Sequence, residues 1–231
     1  MPVTAAGRCA IAPNVLLDGR LALFHETERW LAVADLHFGY ELSQRAAGRL
    51  MPLWGMTSIE DRLIKLLVEY QPRQLIIVGD LVHDKASSAA AKQLLARLRE
   101  RCEVIALAGN HDRHVACAIE FAPRWETPDF VFQHGHCEPE ETDRICIIGH
   151  HHPAASITDG AGLRLKFPAF VQCESVAQAS SLHGQSRKLE ARATARCWIL
   201  PAFSPWAGGV TWPDDGESVI WLCTPRRVLR L

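Results

Sequence analysis

Leu31-Ala32-Val33-Ala34-Asp35-Leu36-His37 is a short apolar run that ends on a carboxylate and, two residues later, an imidazole. An unbroken apolar run of this length reads as a strand buried on both faces. The pattern recurs in Leu75-Ile76-Ile77-Val78, which ends in Gly79-Asp80, and again from Val104 to Ala108, which ends in Gly109-Asn110-His111-Asp112. Between the first two runs, Ile59, Leu63, Leu66, Leu67 and Tyr70 recur at helical spacing, Thr57 with Glu60 has the form of a capping box, and Pro72 stops the pattern. An alanine-rich helix from about Ser87 to Arg101 precedes the third strand. Strand, crossover helix and strand make a parallel unit. Three such strands deliver polar residues to one edge, where open α/β sheets place their sites.

Beyond this half the helical periodicity nearly disappears. Short strands are expected at Phe130 to Gln133, Ile145 to Ile148, Leu163 to Val171, Arg196 to Leu200, Val219 to Cys223 and Arg227 to Leu231, with opening strands at Val15 to Leu17 and Leu21 to Phe24. This distribution suggests two packed sheets rather than one doubly wound sheet. Ser175 to Ala195 is polar and reads as a surface excursion. A length of 231 residues suits a single domain over 1–231. With 25 Lys+Arg against 26 Asp+Glu, no global attraction to nucleic acid or membrane is expected, so any phosphate recognition must be local. The 8 cysteines are scattered without a CxxC pair and read as reduced thiols of a cytoplasmic protein. No apolar run reaches the roughly 18 residues of a membrane span, so no membrane partner is expected.

The polar strand ends have the chemistry of a two-metal hydrolytic site. If the extended conformation continues through Leu36, Asp35 and His37 project to one face and can grip one ion, and His150 and His152 share that spacing. Asp80, from the neighbouring strand, has two oxygens with which to bridge ions about 3.5 to 4 Å apart. Asn110 adds a neutral oxygen ligand and His134 a further imidazole. Water held by such a pair is a nucleophile at neutral pH, because the ions lower its pKa. His111 is then assigned as general acid for the leaving oxygen, with Asp112 as the group that orients its imidazole.

The series D-x-H, G-D, G-N-H-D, H-G-H and G-H-x-H, running from Asp35 to His152, resembles the calcineurin-like metallophosphoesterases. The resemblance implies an α/β fold, a four-layer sandwich of two mixed β-sheets flanked by helices. It implies one ion held by Asp35, His37, Asp80 and His152 and a second held by Asp80, Asn110, His134 and His150. Leu31 to Gly39, Gly79 to Asp84, and Leu200-Pro201-Ala202-Phe203-Ser204-Pro205-Trp206-Ala207-Gly208-Gly209 resemble more narrowly the ligase-associated DNA damage response endonucleases, the PdeM group. That group implies two manganese ions, a DNA or other phosphodiester substrate and a functional link to DNA ligase and helicase. The donors themselves accept manganese, iron, zinc or nickel. A small phosphoester as substrate, and a non-catalytic scaffold, remain as alternative readings.

Several residues near the motifs stay open. His83 and Arg113 either meet substrate phosphates or sit in a solvated loop, and a solvated loop is the reading for Lys85. His136 is a ligand's neighbour or a phosphate contact, and His151 alternates to the opposite face from His150 and His152. Phe38 to Met56, with Arg45, Arg49 and Trp54, is a lid or a partly helical connector. Trp198, Trp206, Trp212 and Trp221 read as core or loop anchors. Cys137 is discounted as a ligand, because oxygen and imidazole donors already suffice.

Overall fold

The computed structural model describes residues 7–115, 119–137, 142–174, 196–214 and 216–231. The expected surface excursion at 175–195 lies outside them. Four short apolar strands open the chain as an antiparallel meander: β1 (Arg8–Ala12), β2 (Val15–Asp18), β3 (Ala22–His25) and β4 (Trp30–Val33). After α1 (Tyr40–Ala46) and α2 (Gly55–Tyr70), β5 (Gln74–Ile77) lies parallel to β4 with Val33 opposite Ile77. α3 (Ser88–Arg99) then leads to β6 (Glu103–Ala106), parallel to β5. The first sheet thus runs β1-β2-β3-β4-β5-β6 and is mixed.

The second half supplies β7 (Trp125–Glu126), β8 (Phe130–Phe132), β9 (Ile145–Ile148), β10 (Pro153–Thr158), β11 (Arg164–Cys173), β12 (Cys197–Ile199), β13 (Val210–Thr211), β14 (Ser218–Thr224) and β15 (Arg227–Arg230). They form a second mixed sheet in the order β13-β10-β11-β12-β9-β8-β7, with β14 pairing both β11 and β15. Strands β8, β9 and β12 are mutually parallel, whereas β11 is antiparallel to β10, β12 and β14. Two mixed sheets with helices are the architecture that the split sequence pattern implies. The two-residue β7 and β13 and the six-residue β10, which opens on Pro153, were not anticipated.

Side-chain alternation explains how both faces of the second sheet are filled. In β9, Ile145 and Ile147 join a core with Trp30, Phe132 and Phe170, while Cys146 and Ile148 point into a second cluster with Val171, Ile199 and Leu222. The first core also takes Ile59, Leu63, Leu66 and Leu67 of α2 and Leu94, Leu95 and Leu98 of α3. The three described α-helices all come from the first half.

The start of α2 corrects the capping-box reading. The helix begins at Gly55, Thr57 lies inside its first turn, and no side chain of its own cap position bonds the helix. Instead the Met56 N–H donates to Glu41 Oε1 at 2.7 Å, a fully buried carboxylate delivered by α1. Glu60 faces α3, where it pairs with Arg97. The orphan donors of a helix start are satisfied by tertiary contact, which local sequence does not show. The 38–56 segment is partly helical, with Leu50 fully exposed beyond α1. No described helix is long and apolar enough to cross a membrane.

Candidate metal centre and active site

The loops that leave β4 and β5 are zipped together by backbone. Asp35 N–H donates to Gly79 O at 3.2 Å, His37 N–H to Asp80 O at 2.9 Å and Phe38 N–H to Leu81 O at 2.8 Å. The backbone here is not the extended chain expected through Leu36. Asp35, His37, Asp80, His150 and His152 have φ of 53°, 42°, 46°, 67° and 46°, in the left-handed region. Each such residue costs about 1–2 kcal/mol, and this strain gathers where side chains of alternate residues must turn to one point. The convergence is real, but the curled loop produces it, not strand pleating.

Three glycines let the loops close. A Cβ on Gly79 would stand 2.1 Å from His134 Nδ1, one on Gly109 2.1 Å from Asp80 Oδ1, and one on Gly149 2.7 Å from Asp35 Oδ2. These are contacts no side chain accommodates, so the G-D, G-N-H-D and G-H-x-H motifs each need glycine for close approach.

Three groups of donors result, each with its ligand atoms within 4.8 Å of one another: Asp35, His37 and His152; Asp80, His134 and His150; and His37, His83 and His111. Asp80 Oδ2 lies 3.3 Å from His134 Nε2 and 3.9 Å from His37 Nε2, so one carboxylate oxygen faces both of the first two groups. His134 Nε2 is 3.1 Å from Asn110 Oδ1, while its Nδ1 is 3.2 Å from the Val78 carbonyl. Donation of Nδ1–H to that carbonyl leaves the Nε2 lone pair for the cluster, the usual arrangement of a ligating imidazole. His150 N–H donates to Asp35 Oδ2 at 2.9 Å and thereby ties the β9 loop to the β4 loop.

The donor set fits cations. His37 and His152 bring their Nε2 atoms to 3.4 Å, where two lone pairs repel unless a proton or a metal lies between them. Buried His37 Nδ1 has no hydrogen-bond partner among the described residues. Burial first, and then the neighbouring imidazoles, hold His37 down to about 3 against the attraction of Asp80, so it is neutral and its lone pair is available. Burial would raise Asp80, but the hydrogen bond and charge of His134 and the His111 N–H outweigh it and keep the carboxyl below its ordinary range. Neutral imidazole beside ionised carboxylate is the protonation state a divalent ion requires. Burial also opposes protonation of His134 and His152, yet Asp80 and Asp35 raise both above the ordinary histidine value.

Asp112 does not orient His111. Its buried carboxylate accepts the backbone N–H groups of Gly109, Val82 and Leu81 at 2.9, 3.1 and 3.3 Å, locking the β6 loop to the β5 loop. Burial pushes this carboxyl up to about 6 despite those bonds. His111 is instead held by its own N–H on Asp80 Oδ1 at 3.0 Å and by Nδ1 at 3.1 Å from the His83 carbonyl. Adjacent residues on a turn point apart, and so the local pairing expected from His111-Asp112 fails.

The open residues also find places. The His83 ring stacks on His111 with centroids 5.0 Å apart and meets Tyr40 edge-on at 4.7 Å. His136 is half-buried beside His134, with centroids 5.2 Å apart, and burial lowers it first. His151 is buried, edge-on to His150 at 5.4 Å and to Trp212 at 6.4 Å, and belongs to none of the three donor groups. Arg113 and Lys85 are exposed. Trp198, Trp212 and Trp221 are buried anchors, but Trp206 lines a cavity of about 220 Å³ together with Tyr40, His83 and His111. Tyr40 and Trp206 were missed as site residues, because nothing in the sequence reports that Phe203 and Ser204 donate their N–H groups to Ala34 O and Asp35 O at 2.8 and 3.1 Å.

Comparison with known proteins places this geometry. The calcineurin-like phosphoesterase family model matches residues 29–167. Among solved structures, the nuclease MPE of Pseudomonas putida is similar over 100% of this chain and 99% of that one, with a TM-score of 0.67 and 25% identity. The phosphoesterase Yfce of E. coli is similar over 87% of this chain and 97% of that one, with a TM-score of 0.45 and 14% identity. No curated protein matches the chain. The matched span covers more than half of the chain and contains every motif from Asp35 to His152: the chain belongs to the calcineurin-like phosphoesterase family.

Proposed function

We propose that this protein is a dinuclear metal-dependent phosphodiesterase that acts on nucleic acid, with DNA as its substrate. The observation that carries the reading is the position of Asp80, whose Oδ2 faces His134 on one side and His37 on the other. In this reading Asp35, His37, Asp80 and His152 hold one ion, and Asp80, Asn110, His134 and His150 hold the other. The donors are imidazole, carboxylate and carboxamide, and manganese is the proposed metal. Two ions bound there would supply charge against the phosphoryl oxygens and would lower the pKa of water so that hydroxide is available at neutral pH.

The chain's own residues complete the reaction. His111 gives its Nε2 proton to the leaving oxygen, and the His83 carbonyl at Nδ1 holds the ring in place. Asp112 supports this only indirectly, by fixing the loop on which His111 stands. Two observations favour nucleic acid over a small phosphoester. One is the full-length likeness to a nuclease. The other is a cavity of about 300 Å³ that shares His152, Ser204 and Ala207 with the one beside His111 and is lined by Arg62 and Lys166, a local positive charge on a chain of net charge -1. A role in the DNA damage response, with its link to ligase and helicase, is an implication of the PdeM resemblance.

The test is His111→Asn, assayed on plasmid DNA, single-stranded DNA and a chromogenic diester. Loss of about 10²-fold or more in kcat with metal content unchanged supports the assignment, and full activity rejects it. Turnover of the small diester without cleavage of either DNA, at any metal, rejects the nuclease reading.

A further inference from the structure

The cavity of about 220 Å³ beside His111 is lined by two kinds of side chain. One is the imidazole set His37, His83, His111 and His152, and the other is the aromatic pair Tyr40 and Trp206, with Tyr40 edge-on to His83 at 4.7 Å. Among the described residues no lysine or arginine lines it, so it is not built for a second phosphate. It is smaller than the roughly 300 Å³ at which pockets for drug-sized ligands begin, a size suited to one planar group.

Trp206 is held there with care. Its Nε1–H donates to Glu41 Oε2 at 3.1 Å, and the other oxygen of that buried carboxylate bonds the first turn of α2. Gly55 leaves room for the indole, since a Cβ would stand 2.1 Å from Nε1. Trp54 packs on the ring with centroids 4.5 Å apart, and the Trp206 N–H donates to Ser204 Oγ at 3.2 Å. Ser204 in turn donates its N–H to Asp35 O, so the indole is tied to the same backbone as a proposed ligand. With its one polar group satisfied inward, Trp206 offers the cavity only its ring, and Tyr40 stands 6.4 Å from it at 30°. A fixed, half-buried aromatic surface next to a proton donor is a platform for a flat, uncharged group on the leaving side of the reaction.

We infer that Tyr40 and Trp206 form a stacking subsite for the nucleobase carried by the leaving nucleoside, so that this base sets the specificity of the site. The inference rests on the phosphodiesterase reading above. It makes the leaving side selective for a base and the other side tolerant of its absence.

The experiment uses thymidylyl-thymidine and its two analogues with an abasic tetrahydrofuran in place of one thymidine, on one side or the other, with manganese-loaded protein. The position of phosphate in the products identifies the leaving side. Removing the leaving-side base lowers kcat/KM about tenfold, and removing the other base changes it little. Trp206→Ala brings the parent dinucleotide down to the rate of the leaving-side analogue and abolishes the difference between them, while Trp206→Phe retains it. Equal rates for all three substrates with wild-type protein overturn the subsite and leave the phosphodiesterase reading standing. A Trp206→Ala variant that slows all three equally also overturns it. No cleavage of any of the three, at any metal, overturns the phosphodiesterase reading and the subsite with it.

Discussion

Asp112 and Gly109 show how single residues hold the site without touching a reacting atom. Asp112 satisfies three backbone donors from two loops, and its removal strands all three in a buried place. Hydrogen bonds to a charged group contribute about 1.5–3 kcal/mol each, without simple additivity. Asp112→Ala should therefore lower stability by about 3 kcal/mol in urea denaturation. Gly109→Ala puts a Cβ onto Asp80 Oδ1 and N, and should abolish metal retention together with activity. That Asp35, His37, Asp80, Asn110, His134, His150 and His152 come together was legible, because residue type and motif spacing survive in the linear chain. The partner of His111 was not. A turn decides it, and the two neighbours Asp112 and His111 ended on different backbone groups.

At the scale of elements, β4, β5, β6 and the two crossover helices were readable to within a residue or two, since buried strands and amphipathic helices carry strong periodicity. The cap of α2 was not readable, because Glu41 comes from another helix. Glu41→Ala removes both that cap and the acceptor of the Trp206 indole, and should cost about 1–2 kcal/mol of stability by thermal or urea unfolding. The link between β2 and α2 gives a pH prediction. Asp18 is buried, and burial alone would raise its carboxyl. Hydrogen bonds from Arg20 and from the Tyr70 hydroxyl at 2.7 Å overcome that and lower it from 3.8. A folded pKa below the unfolded one means that the unfolded chain takes up the proton first as pH falls. The stabilisation is thus present above about pH 4 and is lost as pH drops through the folded value. Asp18→Asn should be less stable than the parent at pH 7, and the gap should narrow below pH 4, as followed by urea midpoints.

For the whole molecule, the two-sheet architecture was anticipated from the change of periodicity between the halves, but the way the second sheet reaches the first was not. Ala202 bridges Ala34, and the loop that follows carries Trp206 to the site, a contact between residues about 170 apart in sequence that no local pattern encodes. Five left-handed residues turn a cluster of facing donors to one place, where a bound cation would engage them. A ligand that binds only the folded state stabilises it by about 2.7 kcal/mol at a concentration 100 times its Kd. Manganese should accordingly raise the melting temperature of chelator-treated protein in a concentration-dependent way, and His37→Ala should blunt the rise.

The central claim, that paired metal ions make this chain a phosphodiesterase, is tested most directly by hydrolysis of bis(4-nitrophenyl) phosphate. Chelator-treated protein should show no turnover, and titration with manganese should restore it to saturation. Equal turnover with and without metal, or none with manganese, iron, zinc or nickel, would contradict the claim.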